Sequence, residues 1–159
     1  MLTLTRKADY ALVAMADLAR QDSAVVSTRD MASRLRMPLP VLQIIMTELA
    51  RQGLVTSTRG PRGGFRLSRP ATRITVAQII EAVEGPFRLA ICCRPELGGR
   101  EAECDIEDVC PIRDSVRKVH ALVESCLSGV TLTELVYDQV QAPLGWPQTW
   151  RGLRTDGLE

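Results

Sequence analysis

Five cysteines stand among the 159 residues of the chain, and four of them, Cys92, Cys93, Cys104 and Cys110, fall within 19 residues of one another. The N-terminus carries no leader with a basic, an apolar and a small-residue part, so the chain is expected to stay in the cytoplasm. Structural disulfides rarely persist in that reducing compartment. Thiols gathered this closely then point to metal, cluster or redox chemistry. Four thiolates suit tetrahedral Zn²⁺ as well as they suit iron. Reversible thiol oxidation is the third reading. It is opposed by six acids in the same segment, Glu96, Glu101, Glu103, Asp105, Glu107 and Asp108, whose negative charge raises thiol pKa values. Neighbouring side chains diverge in extended backbone, so one ligand is expected from the Cys92–Cys93 pair. The fifth cysteine, Cys126, falls on an apolar seam and reads as a small hydrophobe. His120, the one histidine, has no spaced partner and reads as a surface or packing residue.

The second chemistry is electrostatic. Residues 1–70 hold 11 Lys/Arg against 5 Asp/Glu, a balance of +6, and residues 71–159 hold 9 against 14, or −5. Such a split points to a basic module that meets a polyanion and a second region with another task; composition alone also permits an acidic protein partner. No nucleophile–base arrangement or phosphate-binding glycine loop is present. Gly63–Gly64 follows Arg62 instead of opening a helix, so catalysis is not expected. No stretch approaches the roughly 18 apolar residues of a membrane span.

These residues need elements to position them. With 45% hydrophobic, 25% charged and only 4% aromatic residues, the chain reads as a Leu/Val/Ala-rich helical protein rather than a β-sandwich. A first helix spans about residues 5–20, with Tyr10, Leu12, Val13, Asp17 and Leu18 as its mainly apolar stripe. Ser27 caps a second helix that runs to about Arg36. Met37-Pro38-Leu39-Pro40 interrupts it, because proline lacks an N–H and restricts the residue before it. Pro40 opens a third helix, in which Leu42, Ile45, Met46 and Leu49 recur at helical spacing before Gly53 ends it. Two short helices joined by a tight turn form a helix-turn-helix pattern. Strands at residues 54–57 and 65–68 follow, joined by a tip rich in glycine and arginine. The whole is a winged helix.

Thr75 caps a short helix at residues 76–83, which Gly85-Pro86 ends, and the cysteine segment reads as a loop. From Ile112 the apolar positions Val116, Val119, Val123 and Cys126 step by four and three, a heptad seam suited to dimerisation. The competing reading packs that seam on its own domain. Thr131 to Val140 forms one more short helix. The tail is expected to be mobile, with Trp146 and Trp150 as anchors at most. The fold class is therefore mainly α: a winged helix-turn-helix domain with a two-stranded wing (1–84), a cysteine-rich loop (85–111), a long dimerisation helix with a short final helix (112–140) and a tail (141–159).

The first-helix run Ala8-Asp9-Tyr10-Ala11-Leu12, the wing Arg59-Gly60-Pro61-Arg62-Gly63-Gly64-Phe65, the Glu84-Gly85-Pro86 corner and the cysteine loop together resemble the Rrf-type iron-sulfur transcription regulators, of the IscR, NsrR and RirA kind, over about residues 1–140. Within that family the likeness is greatest to the regulators of SUF cluster assembly. The resemblance implies a cytoplasmic, dimeric winged helix, with no membrane association. It implies one iron-sulfur cluster per subunit, [2Fe-2S] or [4Fe-4S], whose state controls affinity for a palindromic double-stranded DNA operator. A repressor of cluster-assembly or related iron and redox genes is the expected role. Carried over residue by residue, the family's last two cysteines fall on Cys104 and Cys110, and its first on Cys92 or Cys93. The loop is several residues longer than usual for the family. Arg113 stands where IscR-like members place a histidine ligand, and Asp9 matches the partner-subunit carboxylate of NsrR-like members. Asp9 is therefore the expected fourth ligand, its rival role a surface pairing with Arg6. Pro40, Gln43 and Ile44 depart from the IscR-like recognition helix, so the operator does not carry over. Gln43 and Thr47, one turn apart, are expected to face base edges, and Arg59, Arg62 and Arg66 to reach phosphates or a minor groove. The alternatives are a zinc- or thiol-switch regulator, or an iron-sulfur carrier or electron-transfer protein, which needs the cysteines but no basic wing.

Overall fold

The computed structural model describes residues 4–21, 24–60, 63–93, 104–137 and 140. Helix α1 (Arg6–Ala19) begins where Thr5 turns its hydroxyl to accept from the Ala8 N–H, as an N-cap does. Its buried residues are Ala8, Ala11, Ala14, Met15 and Leu18, a different face from the stripe the large residues predicted. Of that stripe only Leu18 is fully buried, while Val13 is 39% exposed. The reason is steric. Alanines let neighbouring helices approach closely, and α1 lies against the three other helices of the winged part, one strand of the wing and the final short helix. Asp17, placed on the predicted apolar stripe, instead accepts two hydrogen bonds from Arg34, at 2.9 and 2.6 Å, tying α1 to α2 (Thr28–Leu35). That pairing also pushes the Arg34 pKa up.

Helix α3 (Leu39–Arg51) starts one residue earlier than expected, with Pro38 at the N-cap and Pro40 in its first turn. Proline is tolerated there because those N–H groups have no partner inside the helix. Leu42, Ile45, Met46 and Leu49 are buried, as their spacing requires. Strands β1 (Val55–Thr58) and β2 (Gly64–Leu67) form one antiparallel pair, with Val55 opposite Leu67 and Thr58 opposite Gly64. Both are shifted by one residue from the predicted strands, toward the tip of the wing. At the other end the Ser68 N–H still bonds the Leu54 carbonyl at 3.1 Å.

Helix α4 (Val76–Glu84) has a full capping box between Thr75 and Gln78. Within the cysteine segment, expected as loop throughout, Glu107–Val109 forms a single 3-10 turn. Helix α5 (Arg113–Gly129) follows and contains no buried residue. On its heptad seam Val116, Val123 and Cys126 are half-buried, while Ile112 and Val119 are 59% and 48% exposed. The final helix, α6 (Leu132–Val136), is shorter than predicted. It returns to the winged part: the Leu132 N–H bonds the Ile74 carbonyl at 2.7 Å, and Leu132 is fully buried in the common core. Glu134 accepts from the Thr131 backbone and hydroxyl, which holds its carboxyl below the usual range. The predicted tail, with Trp146 and Trp150, lies outside the described residues. Among the described residues no helix is long and apolar enough to cross a membrane.

If the alanine face sets the helix spacing, Ala11→Leu should lower stability by about 1–3 kcal/mol through overpacking. Val13→Ala, on the exposed face, should stay within about 0.5 kcal/mol of wild type. Urea unfolding of the two variants decides this, and equal midpoints would refute it.

Candidate functional site

The turn between α2 and α3 closes at Arg36, whose φ of 54° puts a non-glycine residue in the left-handed region. The following N–H, of Met37, reaches back to the Ala32 carbonyl at 2.9 Å, a helix-ending bond that sets the angle between the two helices. Ser27 caps α2 by accepting from the Arg29 N–H. Just before it, Val26 exchanges two backbone bonds with Phe65, at 2.8 and 2.9 Å. This bridge anchors β2 of the wing to the start of the helix-turn-helix. It also explains Gly64, where any side chain would run into the Val26 carbonyl.

Between the helix-turn-helix and the wing lies an open cleft of about 760 Å³, whose walls include Val25, Thr28, Gln43, Ser57, Gly60 and Gly63. The structure therefore brings Gln43 and the tip half of the wing to one cleft. Gln43 and Thr47 are both exposed on α3, but they are coupled. The Thr47 hydroxyl donates to the Gln43 carbonyl at 2.7 Å, so its hydrogen is already engaged. Arg59 is exposed just beyond β1, and Arg66 is exposed on β2 opposite Thr56. Arg62 lies outside the described residues.

One connection escapes any local pattern. Lys7 Nζ lies 2.7 Å from Glu48 Oε2 of α3 and donates to the Val83 carbonyl of α4 at 2.5 Å. Beside it the Thr5 hydroxyl donates to Glu84 Oε1 at 2.6 Å. The start of α1 thus joins the recognition helix to the end of α4, where the chain leaves for the cysteines. Its partners are 41 to 79 residues away along the chain, and no spacing rule reaches that far.

Cys93 is buried, and Cys92, Cys104 and Cys110 are half-buried; all are free thiols. The first turns of α5 touch both ends of their segment. Arg117 Nε donates to the Cys92 carbonyl at 3.1 Å, and the Arg113 N–H to the Cys110 carbonyl at 3.5 Å. Burial pushes the Cys92 thiol up, with the adjacent Cys93 adding to it and its own backbone and Arg117 opposing. A thiol raised in this way is the poorer nucleophile. Asp9 is exposed on the first turn of α1. Among the described residues no three His, Cys, Asp or Glu side chains stand close enough to hold one metal ion. His120 stacks on Phe87, with ring centroids 5.4 Å apart and planes 10° from parallel, a packing role as its isolation in the sequence implied.

The wing arginines can be tested by salt dependence. Arg59→Ala and Arg66→Ala should each weaken binding to every duplex alike. For each phosphate that is no longer neutralised, the slope of log K against log salt should flatten by about 0.9. Fluorescence anisotropy across a salt series measures this, and an unchanged slope would place both arginines off the backbone.

Residues 4–138 match the Rrf2 family, described as iron-dependent transcriptional regulators. The chain is 34% identical over 139 residues to the HTH-type transcriptional regulator IscR of Xenorhabdus nematophila, an alignment that spans 87% of this chain and 81% of that one. Among solved structures it is similar to IscR of T. potens, with a TM-score of 0.64 at 27% identity over 94% of this chain and 96% of that one. It is also similar to CymR, the global cysteine regulator of B. subtilis, with a TM-score of 0.66 at 26% identity over 87% of this chain and 98% of that one. These relatives are transcription regulators rather than enzymes. A winged helix with a basic wing, matched along nearly its whole described length to regulators of one kind, belongs to the Rrf2 family of transcriptional regulators.

Proposed function

We propose that this DNA-binding regulator is a homodimeric, sequence-specific repressor that responds to iron, redox or nitric oxide status through an iron-sulfur cluster and controls cluster-assembly genes. The observation that carries the reading is the place of the cysteines: Cys92, Cys93, Cys104 and Cys110 all lie in the single connection between α4 and α5. Their donor chemistry fits, since soft thiolates are the ligands that iron-sulfur clusters take. Cys104, Cys110 and one of Cys92 and Cys93 would hold the cluster, and Asp9 from a second copy would complete the set. A bound cluster would supply a redox-active iron-sulfur centre that iron supply, oxidants or nitric oxide can alter.

The chain's own contacts provide the coupling. Arg117 and Arg113 hold the two ends of the cysteine segment to α5. At the other side, Glu84 is bonded to Thr5 and Val83 to Lys7, which pairs with Glu48 of the recognition helix. A changed path through the cysteine segment therefore strains contacts that orient α3. In a dimer, two recognition helices must meet half-sites of a palindromic operator about 34 Å apart, so a small change of orientation is enough to alter affinity.

The second copy has a surface to cover. Ile112 at the N-cap of α5 and Val119 and Leu122 within it are 59%, 48% and 61% exposed, an apolar stripe that an amphipathic helix buries against a partner. Val119→Glu is expected to convert the dimer to monomer in sedimentation velocity runs and to lower affinity for a two-half-site duplex. A variant that stays dimeric would move the interface off α5.

Anaerobic purification with iron and sulfide analysis tests the cluster. Iron and sulfide in matching amounts with broad visible bands are expected, and Asp9→Ala should change that spectrum or speed its loss. Colourless protein with stoichiometric zinc would make the cysteine segment structural. An unaltered spectrum and lifetime in the variant would remove Asp9 from the site.

A further inference from the structure

The face of α3 opposite the core carries Pro40, Ile44, Thr47 and Arg51, spaced i, i+4, i+7 and i+11 so that they lie along one side. All four are exposed. At its centre Ile44 is 59% exposed, more than any other large apolar side chain described in the winged part, residues 4–84. Toward the start of the helix it is flanked by Pro40 and by Val41, which is 38% exposed; its other neighbours are polar: Gln43 on the cleft side, Thr47 with its hydroxyl hydrogen held by the Gln43 carbonyl, and Arg51 in the last turn. Arg59 and Arg66 of the wing are also exposed. The exposed apolar surface is confined to Pro40, Val41 and Ile44 on one helix beside polar residues and Arg51, much smaller than the continuous apolar patch a protein partner uses.

We propose that Ile44 is a specificity-determining residue that packs on the 5-methyl group of a thymine in each operator half-site. The assignment rests on α3 entering the major groove. There the thymine methyl is the only apolar group the four base pairs display. Ile44 is β-branched and stiff at χ1, so its methyl groups are held in place before DNA arrives. It can neither donate nor accept a hydrogen bond. Over a cytosine or adenine amino group it would exclude water and offer nothing in return, which penalises those bases at the same position.

The test uses the full chain, purified anaerobically. Duplexes are selected from a random-sequence library with the wild-type protein. Each thymine of the selected duplex is then replaced in turn by deoxyuridine, which removes only the methyl group, and affinity is read by anisotropy at one salt concentration. One thymine per half-site is expected at which deoxyuridine weakens wild-type binding about fourfold, the worth of one buried methyl. Ile44→Ala should bind the thymine and deoxyuridine duplexes equally there. Ile44 lies outside the core, so the variant should unfold at the wild-type urea midpoint. If every thymine tolerates deoxyuridine, or Ile44→Ala loses as much as wild type, the assignment is wrong. If no duplex is selected over random DNA, the sequence-reading role of α3 falls, and the thymine assignment with it.

Discussion

Over its first two turns the buried side of α1 carries nothing larger than a methyl group, Ala8 and Ala11, and only further along do Met15 and Leu18 add bulk. The other helices of the winged domain and strand β2 are arranged around that helix. Close approach lets α3 and α4 share α1 as a common floor and brings α6 back against it. It also brings the Lys7 ammonium within reach of two elements at once, because a longer side chain on that face would hold them apart. The polar junction of Lys7, Glu48, Val83, Thr5 and Glu84 is thus a consequence of packing. It is modest in energy, since Lys7 and Glu48 keep roughly a third of their side chains in water and such pairs contribute about 1 kcal/mol or less. Its value is geometric: it relates the orientation of α3 to the end of α4.

The outer face of α3 is under the opposite constraint. Leu42, Ile45, Met46 and Leu49 fill the core, and Gln43, Ile44, Thr47 and Arg51 do none of that work. They can differ from those of relatives without disturbing the fold, which is why a winged helix 34% identical to a named regulator can present a different reading surface. The wing is held more tightly. The Val26–Phe65 bridge and the side-chain-free position at Gly64 keep the hairpin at one distance from α2, so the cleft containing Gln43 has a defined width.

Helix α5 has a different standing from the other helices. Seventeen residues long, it buries none of them fully within its own chain, so its stability as a single copy rests on the Phe87–His120 stack, partial cover from α4 and the return of α6 to the core. An amphipathic helix so thinly covered is poised to respond to what it packs against. Under the proposed function that is a second copy on one side and the cysteine segment at its start.

Much of this was legible in the residues. Proline and glycine marked the ends of α2 and α3, a threonine cap started α4, and the heptad steps marked α5, because those signals act over a few residues and need no distant partner. The cysteines and the basic wing stood out as candidate sites by residue type alone. The buried face of α1 was not legible in the same way, because side-chain size marks burial only loosely and close-packed helices select small residues at their crossing. The pairing of Asp17 with Arg34, the bridge from Val26 to Phe65 and the junction at Lys7 were decided only by tertiary structure. Each joins groups from separate elements, and which partner a charge or a backbone amide finds depends on how the chain has already packed.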